Sequence, residues 1–194
     1  LRMPLGVFGA VIIIAWLALG LLAPVISPAG PLDQHFERLS APDSVNIFGT
    51  DSVGRDVWSR VVHAAPTSLG LAVAVVLGSM AVGVTLGALA GYLGRVADEI
   101  IMRITDLVFA FPTIILAMII AASLGPSLTN AVIALMIVSW PPYARVTRSL
   151  VLSAKQQEYV VSARLLGAGP MVSLVRDIMP NIVSPVLILG TLNL

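Results

Sequence analysis

Long apolar stretches broken by short polar ones organise this chain. No charged residue occurs within residues 3–32, 66–94 or 107–144. A helix that crosses a membrane needs about 20 consecutive apolar residues. The first two runs therefore each predict one crossing, over residues 5–26 and about 69–93. The third holds 38 residues, too many for one crossing, and Leu124-Gly125-Pro126-Ser127 is a turn signal in its middle. It divides into predicted spans at about 107–124 and 128–143, the latter closed by Trp140-Pro141-Pro142-Tyr143. A fifth apolar run covers 178–194. The pattern predicts an all-α, polytopic membrane helical bundle with about five spans. Residues 1–28 form a first anchor helix, 29–65 a loop with an amphipathic helix, and 66–194 the core.

The polar interruptions carry their own patterns. Asp51 or Thr50 is placed to cap a short helix whose apolar face is Val53, Val57, Trp58, Val61 and Val62, an arrangement suited to the membrane interface. In the second span, Gly70, Ala74 and Gly78 recur every four residues, as do Ser79, Gly83, Gly87 and Gly91. Small-residue stripes of this kind let helix backbones approach closely in lipid, so Gly83, Gly87 and Gly91 are read as a packing face. Glu99 and Arg103 stand four apart and are spaced to pair on a helix. Asp106 sits at a span boundary, where solvation of a helix end is its expected role.

Composition narrows the class. Hydrophobic residues make up 58% of the 194 and charged ones only 11%, against about 25% charged in soluble domains. With alternating spans, Arg2, Arg95, Arg103, Arg145, Arg148, Lys155, Arg164 and Arg176 fall on one side of the membrane and only Arg38, Arg55 and Arg60 on the other. The excess of basic residues predicts that 145–176 is cytoplasmic and 30–65 outside. There is no cysteine, so no disulfide framework. The first apolar run is too long for the core of a signal peptide and reads as an uncleaved anchor. The sequence starts at Leu1 and stops inside its fifth span, which reads as a fragment of a longer chain.

The longest polar interruption of the second half is 153–180. Ser153 and Gln156 have capping-box spacing, which predicts a helix over 154–166. Gly167-Ala168-Gly169-Pro170 then stops it, with Gly167 suited to a left-handed position and Pro170 to the first turn of a new helix. The first helix carries Lys155, Glu158 and Arg164 beside an apolar set of Tyr159, Val160, Ala163 and Leu166. Its small residues suit insertion into a groove on another protein. A solvated connection between two spans is the plainer reading.

Here the sequence also resembles a family. The run Glu158-Tyr159-Val160-Val161-Ser162-Ala163-Arg164-Leu165-Leu166-Gly167, with Met179-Pro180 downstream, is similar to the cytoplasmic coupling loop of bacterial ABC importer permeases. The family pattern of Glu-Ala-Ala, three residues, Gly, and a later Leu-Pro falls on Val161-Ser162-Ala163, Gly167 and Met179-Pro180. Val161 thus replaces the usual Glu, Ser162 an Ala, Met179 a Leu, and Asp177 a usually apolar residue. Phe48-Gly49-Thr50-Asp51-Ser52-Val53-Gly54-Arg55-Asp56 resembles the stretch before the second span in the dipeptide, oligopeptide, nickel and glutathione importers. So do Asp106 with Phe111-Pro112, Leu124-Gly125-Pro126, and Trp140-Pro141-Pro142-Tyr143-Ala144-Arg145. Pro66 stands where that subfamily commonly has Arg. The likeness runs from Pro4 to Pro185.

This resemblance implies the type I ABC importer permease fold, whose sixth span is missing here, in the bacterial cytoplasmic membrane. It implies a second homologous permease subunit, two cytoplasmic ATPase subunits and an extracytoplasmic solute-binding protein as partners, besides membrane lipid. It assigns ATPase coupling to Glu158, Tyr159, Ala163, Gly167 and Pro180, with Glu158 the nearest carboxylate to replace the one absent at Val161. The pathway then passes Ser79, Thr85, Thr113, Ser123, Asn130 and Ser139. No cofactor, metal or nucleic acid is expected. His35 and His63 lack metal-ligand spacing, and the Gly-Thr-Asp string lacks both EF-hand spacing and a Walker lysine. The basic loop lacks the dense cluster that nucleic acid or anionic lipid would call for. A membrane-embedded enzyme is the alternative, but the sequence offers no Ser–His or Asp–Asp set to serve it. A structural anchor leaves the Gly-hinged loop without a purpose.

Overall fold

The computed structural model describes residues 4–193, and side chains from Gly6 onward. Helices account for about three quarters of it. They are α1 (Pro4–Ile26), α2 (Val57–Leu93), α3 (Arg95–Phe109), α4 (Thr113–Leu124), α5 (Leu128–Ser139), α6 (Pro141–Ala154), α7 (Glu158–Leu165), α8 (Pro170–Val172) and α9 (Met179–Leu192), with a π-helical turn over Ser173–Ile178 joining the last two. The backbone forms two compact units, Leu1–Leu71 and Ala72–Leu194.

In the first unit, α1 and the start of α2 meet where Gly20 abuts Pro66. A Cβ on Gly20 would lie 2.7 Å from the proline Cδ. Pro66 is thus accommodated inside a helix by a small residue opposite. The intervening loop is pinned by its own polar groups. Asp51 accepts the backbone N–H groups of Val53 and Arg55 at 3.0 Å each, and the guanidinium groups of Arg55 and Arg60 at 2.7 Å each. Partial burial raises the Asp51 pKa, but those donors outweigh it and hold the carboxyl far below its ordinary range. The cap of α2 is therefore neither Asp51 nor Thr50. Asp56 fills that role, its Oδ2 accepting the Ser59 N–H at 2.6 Å and the Ser59 hydroxyl at 2.7 Å. The expected amphipathic helix is not separate; its residues from Val57 on are the first turns of α2. Trp58 stays among them, edge-on to Phe48 at 5.3 Å and donating to the Ile26 carbonyl at 3.3 Å.

The second unit departs from the expected spans. Among the described residues three helical stretches are long and apolar enough to cross a membrane: Gly6–Ile26, Val57–Leu93 and Pro170–Leu192. A fourth arises if α3 and α4 together make one crossing, bent by 92°. The straight span predicted over 107–124 is replaced by this bent pair. Pro112 supplies no N–H to continue α3, so the chain turns there and α4 starts at Thr113. In place of the span predicted over 128–143 stands α5, which has 12 residues. That is roughly 18 Å of helix, well short of a bilayer core of about 30 Å. The span predicted from 178 begins at Pro170 instead, and the expected loop over 145–176 is largely helical.

Helix α4 folds back on α5 through a turn with defined donors. Ser127 accepts the Thr129 N–H at 3.2 Å, and the Asn130 amide donates to the carbonyls of Leu124 at 2.7 Å and Gly125 at 3.0 Å. Helix α3 is tied to α6 by two ion pairs. Arg148 holds Asp98 through both guanidinium edges, one bond measuring 2.6 Å, and Arg145 holds Asp106 at 2.7 Å while stacking over Phe109. Asp106, its side chain 59% exposed in the last turn of α3, is both a solvated helix end and a link between helices. The pair expected between Glu99 and Arg103 is not among the ion pairs of the described residues; Asp98, one position earlier, carries the contact to α6.

Candidate coupling site and helix interface

Helix α7 is short, and one side chain anchors it. Val160 is fully buried in a cluster with Ala88 and Tyr92 of α2, Val151 and Ala154 of α6, Leu174 and Ile178 of the π-turn, and Ile182 of α9. The rest of the helix faces outward. Glu158, Tyr159, Val161 and Ser162 are exposed and Ala163 half-buried. Leu165 and Leu166 are 83% and 89% exposed. So of the apolar set read from the sequence, only Val160 faces inward. Leu166 belongs to the apolar set read from the sequence and Leu165 does not, although Leu-Leu directly before a helix-stopping Gly on a polar helix is a usable signal.

The start of α7 also differs from expectation. Helix α6 continues through Ser153 to Ala154, so Ser153 is not a cap. Gln157, extended and without a side-chain bond, precedes α7. Lys155 explains the break. Its ammonium donates to the carbonyls of Gly91 at 3.2 Å and Tyr92 at 2.7 Å, satisfying two orphan acceptors at the C-terminus of α2. Reaching them turns the chain out of the α6 helix.

The end of α7 is a Schellman motif. The Ala168 N–H bonds to the Ala163 carbonyl at 3.0 Å and the Gly167 N–H to the Arg164 carbonyl at 3.0 Å. Gly167 has φ of +94°, a conformation costly to any residue with a Cβ. Pro170 then opens the next helix at its first position, where a missing N–H is harmless. Pro180 lies apart from this hinge, exposed in the first turn of α9. It follows the π-turn, whose wider winding relieves the proline's clash with the preceding turn.

The glycine face of α2 packs directly on α6. A Cβ on Gly83 would lie 2.5 Å from the Trp140 carbonyl and from the Tyr143 Cβ. On Gly91 it would lie 2.8 Å from the Arg148 carbonyl. On Gly87 it would lie 2.9 Å from the Ala144 Cα and closer still to its carbonyl oxygen. All three glycines are buried. The other ladder does less: Gly78 faces only the flexible end of Met136, and Gly70 has nothing within 4 Å.

Three of the six polar residues read as pathway candidates share a cavity of about 230 Å³. Ser79, Thr113 and Ser139 line it with Phe109 and Tyr143. The Tyr143 hydroxyl is buried there without a hydrogen-bond partner among the described residues. The other three lie elsewhere and bond to backbone carbonyls: Thr85 to Ala81, Ser123 to Ile120, and Asn130 across the α4–α5 turn.

The chain is 38% identical over 190 residues to a dipeptide transport system permease protein of Alkalihalophilus pseudofirmus, covering 97% of this chain and 62% of the relative. It is 37% identical over 196 residues to a glutathione transport system permease protein of Pectobacterium atrosepticum, covering 100% and 65%. With a nickel transport system permease protein of Escherichia coli K12 it shares 39% identity over 157 residues, covering 81% and 57%. The chain thus spans roughly three fifths of the length of these relatives. The sequence pattern of the binding-protein-dependent transport system inner membrane components matches residues 83–194, from the glycine face of α2 through α9. The chain belongs to that family.

Proposed function

We propose that this chain is the membrane-spanning subunit of an importer for small peptides, or for nickel or a related solute, driven by ATP hydrolysis in partner subunits. The observation that carries this reading is α7, a helix fastened to the bundle by Val160, hinged at Gly167, and presenting Tyr159, Ala163, Leu165 and Leu166 to the outside. A partner can bias a permease only through contacts that differ between its states. A rigid helix joined to the core at one point and leading straight into the span from Pro170 transmits such a bias. The partners are two ATPase subunits, one of them docked on α7, a second homologous permease subunit, and an extracytoplasmic solute-binding protein. The cavity at Ser79, Thr113, Ser139 and Tyr143 supports a solute path beside α2.

The direct test is ATP-driven uptake into vesicles holding the complete importer and its solute-binding protein, with a dipeptide, glutathione and nickel offered in turn. Uptake of one of these that depends on this subunit is expected; uptake unaffected by its removal overturns the reading. Orientation is tested separately. The basic excess predicts that Ser162→Cys is labelled only after the membrane is breached, whereas Ser44→Cys reacts from outside in intact cells. The reverse pattern inverts the topology and removes α7 from the reach of an ATPase.

A further inference from the structure

Two cations converge at the hinge of α7. Lys155 lies 5.2 Å and the Arg164 guanidinium 5.1 Å from the centre of the Tyr92 ring, which limits their separation to about 10 Å. That is near one Debye length at physiological salt. Together with Ala168 and Pro170 they line an open groove. Neither has an acidic partner among the described residues; the ion pairs there use Arg55, Arg60, Arg145 and Arg148. Burial lowers the Lys155 pKa, and the charge of Arg164 lowers it further. Lys155 is held by the Gly91 and Tyr92 carbonyls, and no carboxylate stands between the two cations among the described residues. The two stand nine positions apart in sequence, and the turn at 155–157 brings them together.

We propose that this groove receives an acidic side chain of the ATPase subunit docked on α7. The inference rests on the docking reading above and adds the chemistry of the contact. Arg164 is followed at once by Leu165 and Leu166, the most exposed large apolar residues of α7. An ATPase surface that covers these two leucines brings its polar rim over Arg164 and Lys155. Arg offers a carboxylate two parallel donors, and the Tyr92 ring beneath fixes its plane. Two walls of the groove, Ala168 and Pro170, belong to the Gly167 hinge, so the contact senses hinge angle.

The test uses the complete importer in native membranes and titrates ATPase association against salt. Lys155 also holds the end of α2, so the variants are placed at Arg164, whose side chain makes no hydrogen bond among the described residues and whose carbonyl bond to Gly167 survives substitution. Arg164→Gln is expected to weaken association about threefold to tenfold and to flatten its salt dependence. Arg164→Glu weakens it further, and Arg164→Lys retains much of the parent affinity. An Asp or Glu of the ATPase subunit changed to Lys should restore binding to Arg164→Glu. Parent affinity and parent salt slope in Arg164→Gln overturn the proposal. So does a change confined to binding of phosphatidylglycerol over phosphatidylcholine vesicles, which assigns the groove to a lipid phosphate. If Ala163→Asp disrupts association while Arg164→Gln does not, only this inference falls. If both leave association intact, the docking reading falls with it.

Discussion

Gly87→Leu is expected to prevent α2 from seating on α6 and to leave little folded protein in the membrane. The obstacle is backbone: a Cβ at 87 meets the Cα and carbonyl carbon of Ala144 at 2.9 Å and overlaps its carbonyl oxygen. No rotamer change relieves such a clash, and Ala144 is itself wholly buried. Overpacking of this kind costs about 3 kcal/mol or more when the neighbour is fixed. Forcing α6 outward also pulls Arg148 and Arg145 from Asp98 and Asp106 on α3. Two controls separate packing from a general dislike of leucine. Gly78→Ala meets the Sδ, Cε and Cγ of the Met136 side chain, which has freedom to move, and is expected to cost much less. Gly70→Leu meets nothing within 4 Å and should be near neutral. Thermal unfolding in detergent and protease resistance in membranes measure the series. A Gly87→Leu protein as stable as Gly70→Leu would mean that α2 and α6 do not touch at that level.

The features legible in the sequence are those decided within a few residues. Gly167 takes positive φ because a chain leaving one helix for another within four residues needs a left-handed position, and Gly-Ala-Gly-Pro offers one. The glycine stripe was legible for the same kind of reason, since a period of four puts residues on one helix face. What the sequence hid was decided by contacts far along the chain. Ser153 and Gln156 have the spacing of a capping box, yet Ser153 lies inside α6, which ends at Ala154, and Gln156 falls in the turn where Lys155 bonds to Tyr92, 63 positions away. Asp51 looks like a cap until Arg55 and Arg60 close on it, and Asp56 takes the role. The span predicted over 107–124 ran straight through Pro112, and the sequence did not show that α3 would begin at Arg95, since two pairings with α6 hold it there. Lys155 and Arg164 read as scattered charges because their proximity exists only once the turn between them has formed.

Ala163→Asp is expected to abolish uptake by uncoupling the ATPase, while the permease itself inserts and folds. Ala163 is half-buried on α7 and bonds through its carbonyl to Ala168, so the backbone role survives the substitution. In the free permease the new carboxylate costs little, at most about 1 kcal/mol from its place near a helix C-terminus. Against a docked partner, the same charge is stripped of water without a counter-ion, at a cost of several kcal/mol. Association should fall by about a hundredfold or more, since each 1.4 kcal/mol is a factor of ten. Ala163→Asn, similar in size but uncharged, separates charge from bulk and should lose less. Gly167→Val tests the hinge by a different route. No atom lies within 4 Å of a Cβ there, so the cost is backbone strain at φ +94°, about 1–3 kcal/mol. The chain escapes that strain by opening the Schellman turn, which rotates α7 away from the span starting at Pro170. Uptake should then fail even where some ATPase still binds. Val161→Glu, at an exposed position, should leave association intact or strengthen it if the partner keeps a basic residue opposite. Co-purification of the ATPase subunits and uptake are measured on the same membranes, with ligand affinity of the solute-binding protein as the unaffected control. Normal uptake by Ala163→Asp would make α7 a connection between spans and nothing more.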